Sequence, residues 1–226
     1  MSAEIVQNVN REEIIAAVRK HRLIAIARGL TEEELTAAAE AMYAGGVRLL
    51  EITYNACGEP SDAATAAQIG MLARLFAGRM YIGAGTILTV EQVTLTKEAG
   101  GQFIISPDAN REVVEKTREL GLVSIPGCMT PSEATAATRW GADFIKMFPT
   151  SEFKPSFFKA VTVPLSHISF LAVGGISLDN VREYLAAGVA GIGMGNGIVD
   201  KKLIHAGKYD EITALAKAYT DILEVR

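Results

Sequence analysis

The chain has little cysteine, little histidine, no long apolar run and no excess of positive charge, and each shortage closes off a class of function. Cys57 and Cys128, the 2 cysteines in 226 residues, cannot make a disulfide framework, so nothing points to a cross-linked secreted scaffold. The 3 histidines, His21, His167 and His205, are scattered and form no HxxxH or His–carboxylate cluster, so no metal is expected. No apolar run approaches the roughly 20 residues that a membrane helix needs. Met1 to Asn10 is polar, carries Glu4, and lacks the basic start and apolar stretch of a signal peptide. The cytoplasm is therefore the expected compartment. A formal net charge of −4 argues against nucleic acid or an anionic membrane as partner, since both call for a positive surface, but it leaves room for a local pocket for one phosphate. There is no Walker sequence. The glycine run near the end of the chain has no following strand unit to make it a dinucleotide loop, so no cofactor is expected.

What is present reads as one globular domain over residues 1–226. Hydrophobic residues at 49% and charged residues at 21% exclude a disordered chain, and no Ser/Gly linker or change of composition divides it. Short β-branched runs alternate with longer Ala- and Glu-rich stretches of helical spacing. The expected strands are Leu23–Ala27, Arg48–Thr53, Tyr81–Gly85, Phe103–Ser106, Leu122–Ile125, Phe144–Met147, Ser169–Val173 and Gly191–Met194. Helices are expected between them, opening at Thr31 (with Glu34 as capping-box partner), Ser61, Thr89, Asn110, Thr130 and Ser177. A short, irregular one is expected around Lys154–Ala160, a leading one over Arg11–Lys20 and a final one over Asp210–Leu223. Strand followed by helix, repeated, implies a parallel sheet with covering helices. An open doubly wound sheet is the rival. About eight repeats favour an α/β (β/α)8 TIM barrel with an extra N-terminal helix, its active site at the C-terminal strand ends.

Two charged residues stand inside apolar strands. Lys146 lies in Asp143-Phe144-Ile145-Lys146-Met147-Phe148-Pro149, and Glu51 lies in an earlier strand. An ammonium stripped of water has a lowered pKa and is a better nucleophile, which suits Schiff-base chemistry. By strand alternation Phe144, Lys146 and Phe148 share one face, and Leu49, Glu51 and Thr53 share one face. Parity permits both faces to point into a barrel but does not choose inside from outside. The competing readings are a snorkelling or salt-bridged Lys146 and a Glu51 that pairs with Arg48.

Glycine-rich ends follow several strands: Gly83-Ala84-Gly85-Thr86, Gly174-Gly175-Ile176, and the run through Gly193, Gly195, Asn196 and Gly197. Two such loops after the last two strands can bring backbone N–H groups to a phosphate, although glycine also simply makes tight turns. Arg28, ending the first strand, can hold a carboxylate or phosphate by a bidentate contact. Thr86 and Ser106 end strands and can donate to a substrate. Cys57 and Cys128 fall on the same side and read as tolerated thiols rather than nucleophiles.

In order, Glu51-Ile52-Thr53, Gly83-Ala84-Gly85-Thr86, Ile105-Ser106-Pro107, Ile125-Pro126-Gly127 with Thr130-Pro131-Ser132-Glu133, Lys146-Met147-Phe148-Pro149 and Gly174-Gly175-Ile176 span almost the whole chain. Together they resemble the class I 2-keto-3-deoxy-6-phosphogluconate / 4-hydroxy-2-oxoglutarate aldolase family. The resemblance implies a (β/α)8 barrel, commonly a homotrimer, that needs no metal. It implies Lys146 as the Schiff-base lysine and Glu51 as general acid/base. Arg28, Asn55, Thr86, Pro107 and Phe148 become substrate neighbours, and Gly174, Gly175, Gly195 and Asn196 become the phosphate pocket. The implied reaction is reversible cleavage of a 2-keto-3-deoxy-6-phosphoaldonate, of gluconate or galactonate type, to pyruvate and glyceraldehyde 3-phosphate. Cleavage of 4-hydroxy-2-oxoglutarate to pyruvate and glyoxylate is a further candidate. The chain departs from the pattern twice. Gluconate-type members often carry arginine where it has Asn55, which looks more like galactonate-type relatives, and a serine is common where it has Asn196. The residues alone also admit a phosphosugar isomerase or epimerase, or a non-catalytic sugar-phosphate-binding protein.

Overall fold

The computed structural model of the chain describes residues 10–224, so the expectation about the first nine residues lies outside it. Helix α1 (Arg11–His21) leads into β1 (Leu23–Ala27), α2 (Glu32–Ala44), β2 (Leu49–Thr53), α3 (Asp62–Leu75) and β3 (Tyr81–Gly85). Next come α4 (Val90–Glu98), β4 (Phe103–Ile105), α5 (Arg111–Glu119), β5 (Val123–Ile125), β6 (Gly127–Cys128) and α6 (Pro131–Trp140). The chain continues through β7 (Ile145–Met147), a 3-10 turn at Thr150–Glu152, α7 (Pro155–Thr162), β8 (Phe170–Val173), α8 (Val181–Ala186), β9 (Gly191–Met194), α9 (Lys201–His205) and α10 (Tyr209–Glu224). No helix among the described residues is long and apolar enough to cross a membrane.

Every strand pairing is parallel, in the order β5-β4-β3-β2-β1-β9-β8-β7-β6. The two ends of that order are halves of one strand, broken at Pro126. Proline has no N–H to give a ladder, so the strand bends there. Its first half pairs with β4 and its second with β7, while the Pro126 carbonyl still accepts from Lys146 N at 2.9 Å. One bent strand thus closes the ring, and the nine segments form an eight-stranded (β/α)8 barrel with α1 as its extra helix.

Local chemistry sets the helix starts. Thr31 and Glu34 form the expected capping box, and so do Thr130 and Glu133. Pro131 and Pro155 occupy first positions, where the missing N–H costs nothing. Ser177 does not open α8, which begins at Val181. Asn180 folds the preceding turn back instead, its Oδ1 accepting from Ser177 N at 2.9 Å. The turn at 150–152 and α9 were not foreseen, being too short to show a period.

Strand alternation sorts the core into two layers. Ile24, Leu49, Phe103, Ile105, Val123, Ile125, Phe144, Leu171 and Val173 fill the barrel, and Ile14, Ile15 and Val18 of α1 close its N-terminal end. Ala25, Leu50, Ile52, Ile82, Ile104, Ile145, Met147 and Ile192 face outward against the helices. Lys146 shares the face of Phe144, and Glu51 shares the face of Leu49. Both charged residues therefore point inward.

Candidate active site

At the C-terminal ends of the strands the barrel opens into a cavity of about 530 Å³. Glu51 reaches it from β2 and Lys146 from β7, with side chains of apolar strands beneath them. Glu51 is 2% exposed and Lys146 7%, so both charges are held almost dry. Burial pushes the Glu51 carboxyl above its usual range, and attraction to Lys146 and Arg28 offsets only part of this. Burial pushes the Lys146 amine down. The Glu51 charge opposes that, and the Arg28 charge adds to it. The two groups feel each other without touching, since no hydrogen bond or ion pair joins them among the described residues. An amine with a depressed pKa beside a carboxyl with a raised one is the pairing that nucleophilic attack and proton transfer near neutral pH require.

Glycine makes room for the carboxylate. Thr53 is paired in register with Gly85, and a Cβ at Gly85 would overlap the Glu51 carboxylate. The carboxylate lies across the bare backbone of β3, and its Oε2 is buried with no hydrogen-bond partner. An orphaned acceptor at this depth costs stability and marks a functional group. Gly85→Ala should displace Glu51 and destabilise the fold by about 1–3 kcal/mol. Denaturant melts and turnover assays on that variant check both effects.

Lys146 Nζ stands 4.5 Å from the Phe148 ring centroid, a contact that favours the ammonium modestly until the amine reacts. Across the cavity Arg28 Nη2 donates to Thr86 Oγ1 at 3.0 Å. Thr86 has a φ of 57°, a left-handed conformation that costs a β-branched residue on the order of 1–3 kcal/mol. The strained backbone and the Arg28 contact together fix the threonine hydroxyl at the rim.

The far side of the cavity is backbone. Gly174 and Gly175 have φ of 86° and 83°, which a side chain rarely adopts. Their carbonyls are taken by protein donors: Ser151 N to Gly174 O at 2.9 Å, and Asn180 Nδ2 to Gly175 O at 2.9 Å. The amide N–H groups of Gly175, Ile176 and Asn196 meet no protein acceptor among the described residues. Gly195 adds open space where a Cβ would meet nothing within 4 Å. A surface of unclaimed N–H groups without a cationic side chain is an anion cradle of the backbone kind.

Of the sequence candidates, Arg28, Glu51, Thr86, Pro107, Lys146, Phe148, Gly174, Gly175, Gly195 and Asn196 all line this cavity. Asn55 does not. Its amide is turned back on its own loop, Nδ2 donating to Glu59 O and Oδ1 accepting from Cys57 N at 3.0 Å. Arg48 is no partner of Glu51, because it lies at the other end of β2 and donates to the carbonyls of Tyr43 and Val47. Sequence reading missed Ile26 and Val173 as cavity residues. They were recoverable, since each lies two residues beyond an inward-facing neighbour. Cys57 is exposed, and Cys128 is buried with its thiol pushed up to about 12, chiefly by burial, so it is no nucleophile.

The chain is similar to known proteins over most of its length. It is 34% identical to the 2-dehydro-3-deoxy-6-phosphogalactonate aldolase of Escherichia coli, over 89% of this chain and 96% of that protein. A solved structure described as native KDPGal superimposes with a TM-score of 0.79 at 32% identity, covering 90% of this chain and 96% of that one. The KDPG aldolase of Legionella pneumophila, solved with pyruvate captured as a covalent carbinolamine, superimposes with a TM-score of 0.81 at 28% identity, covering 93% and 98%. The family model for KDPG and KHG aldolase matches residues 14–215. The barrel, the buried lysine and carboxyl facing one cavity, and these likenesses together make the chain a member of the KDPG and KHG aldolase family.

Proposed function

We propose that the chain is a class I aldolase that cleaves a 2-keto-3-deoxy-6-phosphoaldonate to pyruvate and glyceraldehyde 3-phosphate, with Lys146 and Glu51 as its catalytic pair. The observation that carries the reading is the shared burial of those two side chains in one cavity. The neutral Lys146 amine adds to the C2 ketone, and the carbinolamine hydroxyl takes a proton from solvent and leaves as water, giving a protonated imine. Glu51 takes the C4 hydroxyl proton, the C3–C4 bond breaks, and its electrons pass into the imine to give an enamine. The aldehyde departs. Glu51 returns the proton to C3, and water hydrolyses the pyruvate imine to free the lysine. Covalent catalysis replaces one difficult carbanion with an electron sink.

Arg28 and the Thr86 hydroxyl stand on the carboxylate side of this pose. The backbone cradle at Gly174, Gly175, Gly195 and Asn196 takes the phosphate, away from the bond that breaks. Binding energy spent there positions the reacting end. The carbinolamine trapped in the Legionella pneumophila relative supports the lysine chemistry. In this reading the chain acts as one domain, as a homotrimer in the cytoplasm, and sedimentation measures the trimer directly.

Turnover of the two C4 epimers tests the substrate. The likeness to the Escherichia coli 6-phosphogalactonate enzyme favours the galactonate type. Release of pyruvate and glyceraldehyde 3-phosphate faster from that epimer is the expected result, and release from neither defeats the proposal. Arg28 gives a pH test. Burial lowers the Lys146 pKa, the Glu51 charge opposes this and the Arg28 charge adds to it, so the rate of imine formation should rise with pH about a midpoint below the ordinary lysine value of 10.5. Arg28→Met should move that midpoint upward, read from imine formation with pyruvate across pH.

A further inference from the structure

The end of the barrel opposite the aldolase cavity carries two adjoining cavities, of about 280 and 230 Å³, which share Lys20 and His21. Neither shares a lining residue with the aldolase cavity. Lys20 and His21 come from the last turn of α1, Arg48 from the residue before β2, and Arg79 from just before β3. Basic residues in a helix's last turn complement its dipole, and that alone would account for Lys20. It does not account for Arg48 and Arg79, which reach the same space from two strand starts. Five Lys and Arg side chains line the pair of cavities against two carboxylates, Glu13 and Glu224, in a chain whose net charge is −4.

Among the described residues, Lys20 and Arg48 form no ion pair with a carboxylate. Arg79 has one, forking onto Glu40 at 2.9 and 2.6 Å. Arg48 spends Nη1 on the carbonyls of Tyr43 and Val47 and meets no carboxylate among the described residues. The side chains of Lys20 and His21 make no hydrogen bond or ion pair among the described residues. Glu13 already accepts from the Tyr81 hydroxyl at 2.9 Å. Arg48 and Arg79 both lie within 4.4 Å of the Tyr43 ring centroid, so the ring holds two like charges close together. Such an arrangement is stabilised by an anion that takes hydrogen bonds from several sides.

We propose that this end of the barrel is a second ligand site, which binds a small phosphate-type dianion between Lys20, His21 and Arg48. The remaining N–H groups of Arg48 and the Lys20 ammonium supply the charge-assisted bonds, and His21 supplies one more when protonated. His21 makes the site measurable. Burial, then Lys20 and then Arg48 push its imidazole below the usual range, with Glu224 opposing. Arg79 and Glu13 in one cavity, and Arg19 and Arg22 in the other, complete the charged groups lining the two cavities that His21 shares, with Arg22 donating to the carbonyls of Ala190 and Val189. A bound dianion reverses that field, and the imidazole takes up a proton more readily.

The test is a histidine NMR titration of the whole chain, with and without inorganic phosphate at constant ionic strength. His21→Gln identifies the His21 signal against those of His167 and His205. Phosphate should raise the His21 pKa by about 0.5 or more, as an opposite charge placed within hydrogen-bond reach does. Lys20→Met, at an exposed position, should lose most of that shift, and Arg48→Met should too. A His21 titration that phosphate leaves unmoved overturns the proposal. So does a shift that survives in Lys20→Met, which keeps the test decisive if Arg48→Met fails to fold. An equal shift with malonate would overturn the assignment to phosphate.

Discussion

Lys146→Ala is expected to lower cleavage by at least about 10⁴-fold, the scale seen when a covalent nucleophile is deleted. The size follows from the mechanism. Without the amine no imine forms, and without the imine the electrons of the C3–C4 bond have no sink. Loss of fold is not the cause. The Lys146 pKa is lowered by burial, so the stability linked to this group is full above the ordinary lysine value of 10.5 and is lost as pH falls through the lowered one. At neutral pH the lowered Lys146 pKa therefore weakens the fold, and Lys146→Met should melt no lower than the parent. A thermal melt and a turnover assay on the same sample separate chemistry from folding.

Glu51→Gln is expected to slow cleavage by about 10²- to 10⁴-fold while leaving the lysine able to form its imine. Glutamine fills the same space over Gly85 but takes no proton. Its effect on stability has a definite sign. The Glu51 pKa is raised, so the stability linked to that carboxyl is full below the ordinary value of 4.5 and is lost as pH rises through the raised one. The stability of Glu51→Gln relative to the parent should therefore climb with pH above 4.5, which denaturant melts at several pH values measure. The imine itself should form with a midpoint at lower pH than in the parent, because the Glu51 charge holds the Lys146 pKa up.

Much of this was legible in the residues. The strands announced themselves by alternation, and Thr31 with Glu34 and Thr130 with Glu133 announced two helix starts. Parity put Lys146 with Phe144 and Glu51 with Leu49, but only the closed ring decides which face is inside, and ring closure is not a local property. Pro126 was visible, yet its consequence was not: one bent strand serves both edges of the sheet because its two halves meet different neighbours. Ser177 misled because a cap is recognised by chemistry alone, whereas the loop there is fixed by Asn180 reaching back to Ser177 and Gly175. Asn55 was placed by resemblance. The structure turns its amide into its own loop, a contact between residues four apart that no motif encodes. The charge cluster at the other end of the barrel escaped notice because Lys20, Arg48 and Arg79 are distant in sequence and meet only when the strands align.

The account rests on one dry amine that attacks a ketone. Incubation with pyruvate, reduction with borohydride and mass mapping of the peptides test it most directly. One reduced pyruvate adduct, on Lys146 and absent from Lys146→Ala, is the predicted result. An unmodified Lys146 in a protein that still cleaves its substrate would contradict it.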